Sequence, residues 1–121
     1  MPKILVLGAN SFSGQDFVDL LLDDPANEVI GVSRSEERSA LFLCYKRRPA
    51  LEAYRYFRLD LNRQMPDLLE LCDRERPEMI VNFAAQSEVA PSWEHPEQWF
   101  KTNCVALARL VNHLRSRDYL R

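Results

Sequence analysis

The 121 residues carry sixteen Lys and Arg against eighteen Asp and Glu, a formal charge of −2, with 46% hydrophobic residues, enough for one compact core and too few for two domains. The charges are spread along the chain without a basic stripe or an acidic tail, so the electrostatic footprint of a nucleic-acid partner is absent, and Lys46, Arg47 and Arg48 read as a solvated loop face. No apolar run approaches the roughly 18 residues of a membrane span and the N-terminus has no signal-peptide apolar stretch, which predicts no membrane partner and a cytoplasmic location.

Lys3 to Leu7 (KILVL) is a short apolar run closed by Gly8, the pattern of a strand buried on both faces of a parallel sheet. The period then changes: Phe12, Phe17, Val18, Leu20, Leu21 and Leu22 recur at helical spacing, predicting a helix from Ser13 to Leu22 that Pro25 cannot continue. Glu28 to Val32 reads as a second strand. The segment SEERSALFLCY reads as a short helix with Ser35 as its cap and Glu36 and Glu37 in its first turn. Tyr54 to Leu59 is a third strand. A helix follows with Pro66 near its first position, apolar Leu68, Leu69, Leu71 and Cys72, and a stop at Pro77. Met79 to Phe83 is a fourth strand, and Gln98 to Arg117 is the longest helix.

Strand and helix in strict alternation predict an α/β fold with a parallel sheet, helices on both faces and right-handed crossovers. In such sheets ligands bind beyond the carboxyl ends of the strands, at the point where strand order reverses. Two segments fall there: GANSFSG, Gly8 to Gly14, after the first strand, and NFAAQS, Asn82 to Ser87, after the fourth. Gly8 permits a tight turn, Gly14 lets the helix lie against the strand, and the helix N-terminus offers N–H groups to a pyrophosphate. A plain turn also needs glycine; the preceding strand, the following amphipathic helix and the small Ala84 and Ala85 favour the dinucleotide reading.

The acid that binds an adenosine ribose is expected about 20 residues past the glycine turn. Ser33 occupies that place and Arg34 follows. A guanidinium there suits a 2′-phosphate, so NADP is preferred over NAD, the alternative being that Arg34 is a solvated loop residue. Cys44, Cys72 and Cys104 are odd in number and widely spaced, and His95 and His113 have no ligand-spaced neighbours, so neither a disulfide framework nor a metal site is expected.

The set GANSFSG, SRS, LDL (Leu59 to Leu61), NFAAQSEVAPSWEHP and KTN resembles the extended short-chain dehydrogenase/reductase family, particularly NAD(P)-dependent nucleotide-sugar epimerases and 4,6-dehydratases such as those acting on GDP-mannose. The resemblance spans nearly the whole chain and is most specific from Asn82 through Asn103. It implies a Rossmann-type doubly wound sheet with strand order 3-2-1-4 and an incomplete second half. It also implies that Gly8, Asn10, Ser11, Phe12 and Gly14 line the cofactor diphosphate, and that Asp60 and Leu61 border the adenine. Phe83, Ala84, Ala85 and Gln86 would contact the ribose and nicotinamide, Ser87 and Val89 would begin the substrate-side loop, and Asn103 would support the hydrogen-bond network, its alternative being a surface helix residue. Three positions depart from the pattern: Ser11 for the middle glycine, Glu88 where histidine is common, and Ala106 where glycine is common.

In the family the catalytic base is the tyrosine of Tyr-x-x-x-Lys. Here Tyr45 meets Pro49, Tyr54 meets Arg58, Tyr56 meets Asp60, and Tyr119 lies two residues from the end. No catalytic residue is therefore assigned, and residues 1–121 are expected to be the N-terminal, cofactor-binding portion of a longer enzyme. The resemblance implies a nucleotide-sugar substrate oxidised transiently at C4, and a homo-oligomer. The alternative function is a non-catalytic dinucleotide-binding or redox-sensing module.

Overall fold

The computed structural model describes residues 2–34, 37, 43–48, 52–84 and 93–121. Four strands, β1 (Lys3–Leu7), β2 (Glu28–Ser33), β3 (Tyr54–Arg58) and β4 (Met79–Asn82), form one parallel sheet in the order β3-β2-β1-β4. Its register pairs Leu5 with Ile30 and with Ile80, and Gly31 with Tyr56. All four carboxyl ends therefore emerge on one side.

Alternation along the central strands divides the core into two. Leu5, Leu7, Ile30 and Val32 face α2 (Met65–Glu75), through Met65, Leu68, Leu71 and Cys72, and α4 (Ala106–Leu114), through Ala106, Leu110 and Leu114. Ile4, Val6 and Val29 face the opposite layer, where Val18 of α1 (Phe12–Leu21) packs with Leu43, Tyr45 and Tyr54. Burial within the first layer pushes the Cys72 thiol up to about 12, so this cysteine behaves as a small hydrophobe.

Helix boundaries follow local chemistry. Ser11 caps α1, so the helix begins at Phe12, one residue earlier than its periodicity predicts, and buries only part of the apolar set: Phe12 and Leu20 are exposed. Pro66 sits in the first turn of α2, where no N–H partner is needed. That helix ends at Glu75, ahead of Pro77, because Arg76 turns left-handed at φ 50° and its N–H closes onto the Cys72 carbonyl. Cys44–Arg47 form a 3₁₀ turn, and the rest of the helix expected at SEERSALFLCY lies outside the described residues apart from Glu37 and Leu43.

The longest helix is composite. α3 (Pro96–Phe100) passes into a π-helical turn over Lys101–Val105 and then into α4. The wide turn, closed by Ala106 N–H onto the Lys101 carbonyl, advances the helix by one residue. As a result Ala106, Leu110 and Leu114 meet the core while Phe100, Val105, Leu107 and Val111 face outward.

Candidate functional site

The glycine turn is built from three short bonds. Gly8 adopts φ +77°, in the left-handed region, and its N–H donates to the Val32 carbonyl at 2.7 Å. A Cβ at Gly8 would stand 2.6 Å from the Phe83 carbonyl carbon, and one at Gly14 would stand 2.0 Å from the Gly8 oxygen. Ser11 N–H donates to the Gly8 carbonyl at 3.0 Å, and Ser11 Oγ accepts from Gly14 N–H at 2.9 Å. The residue in place of the expected middle glycine is thus the cap of α1, and its own O–H remains a donor beside the helix N-terminus.

The neighbouring corner is hydroxyl-rich. Asn10 N–H donates to Ser33 Oγ at 3.0 Å, and Asn10 Nδ2 donates to the Tyr56 hydroxyl at 3.0 Å. Beside them Arg58 Nε donates to the Arg34 carbonyl at 3.2 Å. Past β3, Asn62 N–H donates to Asp60 Oδ1 at 2.8 Å and Asp60 N–H to Gln64 Oε1 at 3.0 Å, a tight turn that holds the Asp60 carboxylate at the mouth of the sheet. Asn62 Nδ2 donates in turn to Thr102 Oγ1 at 2.9 Å, tying this loop to the π-helical turn. On the β4 side Phe83 N–H donates to the Leu7 carbonyl at 2.7 Å and Ala84 N–H to Asn82 Oδ1 at 2.8 Å.

These segments enclose a groove of about 410 Å³ across the carboxyl ends of the strands. Of the residues singled out from the sequence, Gly8, Asn10, Ser11, Ser33, Arg34, Asp60, Leu61, Phe83 and Ala84 line it. Three others stand outside the lining: Phe12, 85% exposed on the outer side of α1, Gly14, folded beneath the Gly8 carbonyl, and Asn103, next to the lining Thr102. Ala85, Gln86, Ser87 and Val89 lie outside the described residues. The groove also takes in Leu7, Val32, Leu59, Asn62 and Thr102, which sequence reasoning did not select. Leu7 is the last residue of β1, Val32 the next-to-last of β2, and Leu59 directly follows β3, so the strand-end rule itself could have found them.

Burial, as the largest cause, raises the phenols of Tyr45, Tyr54, Tyr56 and Tyr119 above the ordinary range. Tyr45 O–H further donates to Glu37 at 2.6 Å and Tyr119 O–H to Asp73 at 2.9 Å, bonds that hold their protons. Among the described residues no group of three or more His, Cys, Asp or Glu could hold a metal ion, and no helix is long and apolar enough to cross a membrane.

A four-stranded 3-2-1-4 sheet with a glycine turn, a capped helix N-terminus and a groove at the strand ends makes this a Rossmann-type α/β unit. The chain belongs to the NAD dependent epimerase/dehydratase family, whose model matches residues 4–120. None of the curated proteins compared matches it. Solved structures share the fold. The UDP-Glc/GlcNAc 4-epimerase of Campylobacter jejuni is 24% identical with a TM-score of 0.80, over 95% of this chain and 34% of that one. The UDP-glucuronic acid 4-epimerase of Bacillus cereus, in complex with UDP-glucuronic acid and NAD, is 22% identical with a TM-score of 0.77, over 98% and 37%. The UDP-glucose 4-epimerase of Brucella ovis, in complex with NAD, is 19% identical with a TM-score of 0.74, over 95% and 32%. The chain therefore spans about a third of the length of these structures.

Proposed function

We propose that these residues form the dinucleotide-binding portion of an NAD(P)-dependent epimerase or dehydratase acting on a nucleotide sugar, with NADP the preferred cofactor. The observation that carries this reading is the convergence of the Gly8–Ser11 turn, the Ser33–Arg34 corner, Asp60 and Ala84 on one groove. Its volume of about 410 Å³ falls within the roughly 300–1,000 Å³ of small-molecule sites. The residues present fit a dinucleotide: a hydroxyl donor and a helix N-terminus for the diphosphate, a cation beside the ribose, and an apolar floor of Leu7, Val32 and Leu61 for flat rings.

In this reading Ser11 O–H donates to a diphosphate oxygen while its Oγ keeps the Gly14 N–H, so binding leaves the cap of α1 intact. Asp60 accepts from an amino group with the carboxylate edge that Asn62 leaves available, and Arg34 faces the ribose. The relatives named above act on UDP sugars, and two are described in complex with NAD. A bound nicotinamide supplies the hydride acceptor for transient oxidation at sugar C4. In this reading the chain's own part is binding and orientation of the cofactor, since no tyrosine here is followed by lysine four residues on.

Titration of the 121-residue chain with NADPH and NADH, followed by reduced-nicotinamide fluorescence, tests the reading. Saturable 1:1 binding with NADPH the tighter ligand is expected, without turnover of a sugar nucleotide. Tighter binding of NADH overturns the NADP preference, and turnover by this chain overturns the division of labour.

A further inference from the structure

α2 and α4 pack on the same face of the sheet, where Leu68 and Leu71 of the first share a core with Leu110 and Leu114 of the second. The two ends of this helix pair are joined by different chemistry. At the end far from the groove, the Asp73 carboxylate accepts from Arg117 Nε at 2.9 Å and from Tyr119 O–H at 2.9 Å, and meets His113 Nε2 at 3.1 Å. At the groove end, just ahead of each helix, a neutral bond runs from Asn62 Nδ2 to Thr102 Oγ1 at 2.9 Å. Hydrogen bonds to an ionised group are roughly twice as strong as neutral ones. The pair is therefore anchored at Asp73, and its spacing beside the groove is set by the weaker Asn62–Thr102 bond.

Both ends of that bond line the groove. Thr102 belongs to the π-helical turn, and Asn62 to a turn that closes on itself. The Asn62 backbone N–H donates to Asp60 Oδ1 at 2.8 Å, and the N–H groups of Arg63 and Gln64 donate to the Asp60 carbonyl at 3.2 Å and 2.7 Å. Asp60 N–H in turn donates to Gln64 Oε1 at 3.0 Å. A turn closed by four such bonds moves as one body. A hold on the Asn62 side chain is therefore a hold on the Asp60 carboxylate, two hydrogen bonds away from Thr102.

We propose that Thr102, acting through Asn62, is a positioning residue that aims the Asp60 carboxylate at the amino group of a bound adenine. The proposal rests on the dinucleotide reading above and adds to it a side chain from the far wall of the groove. Thr102 acts on the choice of base, because the bond it makes ends at the carboxylate that reads the base.

The test compares Kd values of NADPH and of reduced nicotinamide hypoxanthine dinucleotide phosphate, whose base presents a carbonyl where adenine presents its amino group. Both are titrated into the unmodified 121-residue chain and into Thr102→Val, Thr102→Ser, Asn62→Ala and the double variant Thr102→Val with Asn62→Ala. One charge-assisted contact predicts that the unmodified chain prefers the adenine form about tenfold. Thr102→Val and Asn62→Ala are expected to lower that preference to about threefold or less. Asn62→Ala keeps the backbone N–H that Asp60 accepts, so its loss reports on the side-chain bond alone. Thr102→Ser keeps the accepting hydroxyl and should restore the preference, and the double variant should fall no further than either single one. Saturable binding of the hypoxanthine form shows at the same time that a variant is folded. If the unmodified chain prefers adenine and Thr102→Val keeps that preference, the role of Thr102 is overturned and the dinucleotide reading stands. Equal weakening of both ligands by Thr102→Val also overturns it, as a purely structural bond would give. Binding of neither ligand to the unmodified chain overturns both.

Discussion

The two ends of the sheet are made by the same strands and carry similar charges, yet they are wired in opposite ways. At the amino end, Lys3, Glu28, Arg55 and Glu75 satisfy one another: Arg55 pairs with Glu28 at 3.1 Å and also with Glu75, and Lys3 reaches Glu75 at 3.5 Å and Glu28 at 3.9 Å. At the carboxyl end, Arg34 makes no ion pair among the described residues, the Asp60 carboxylate accepts from the Asn62 backbone N–H while its own N–H donates to the Gln64 amide oxygen, and Ser11 keeps a spare O–H. Charges at the amino end are consumed by the fold, whereas at the carboxyl end Asp60 is held by neutral groups. The difference separates a structural seam from the surface proposed to bind the dinucleotide.

Breaking the carboxyl end should have the largest effect. Gly8→Ala puts a side chain into a left-handed turn and 2.6 Å from the Phe83 carbonyl carbon, so a loss of roughly 2–4 kcal/mol of stability is expected. Thermal denaturation should show Tm lowered by roughly 10 °C or more, with dinucleotide binding abolished in the residual folded fraction. An unaltered Tm would show that the turn is not as tight as described.

Breaking the amino end should be milder and silent in binding. Arg55→Ala removes the main partner of Glu75, a side chain only 11% exposed, and should cost about 1 kcal/mol in urea denaturation while leaving the Kd for NADPH unchanged. A changed Kd would mean that the two ends are coupled.

The smallest effect is in pH. The Arg55 guanidinium beside Glu75 holds its carboxyl below the ordinary carboxylate range. A depressed folded-state value adds stability that is fully present above the unfolded value of about 4.3 and fades as pH falls further. The stability difference between the unmodified chain and Arg55→Ala should therefore be constant from pH 8 to about pH 5 and shrink below about pH 4. A difference independent of pH down to 3 would remove Glu75 from the explanation.

The strands and the glycine turn at the carboxyl end were legible in the sequence, whereas the ion-paired amino end was not. The apolar runs KILVL and EVIGV announced buried parallel strands, and Gly8 with Gly14 announced a close approach that the hypothetical Cβ positions bear out as a packing requirement. The role of Ser11 was hidden: a serine in a glycine pattern reads as a perturbed contact, whereas its place three residues before Gly14 makes it a cap. Thr102 was hidden for a different reason. Helical periodicity assumes 3.6 residues per turn, and the π-helical turn at Lys101–Val105 shifts which neighbour reaches the groove, bringing in Thr102 beside the expected Asn103. The same shift left Phe100, Val105 and Val111 outside a core that periodicity alone would have given them. The Asn62 to Thr102 bond depends on tertiary placement across forty positions and had no local signal.

The contrast between the two ends is tested most directly by amide chemical-shift mapping of the 121-residue chain titrated with NADPH. The perturbations are predicted to cluster at Gly8, Ser11, Ser33, Arg34, Asp60, Leu61, Ala84 and Thr102, with Lys3, Glu28, Arg55 and Glu75 unmoved. Perturbations centred on the amino end, or none at saturating NADPH, would contradict it.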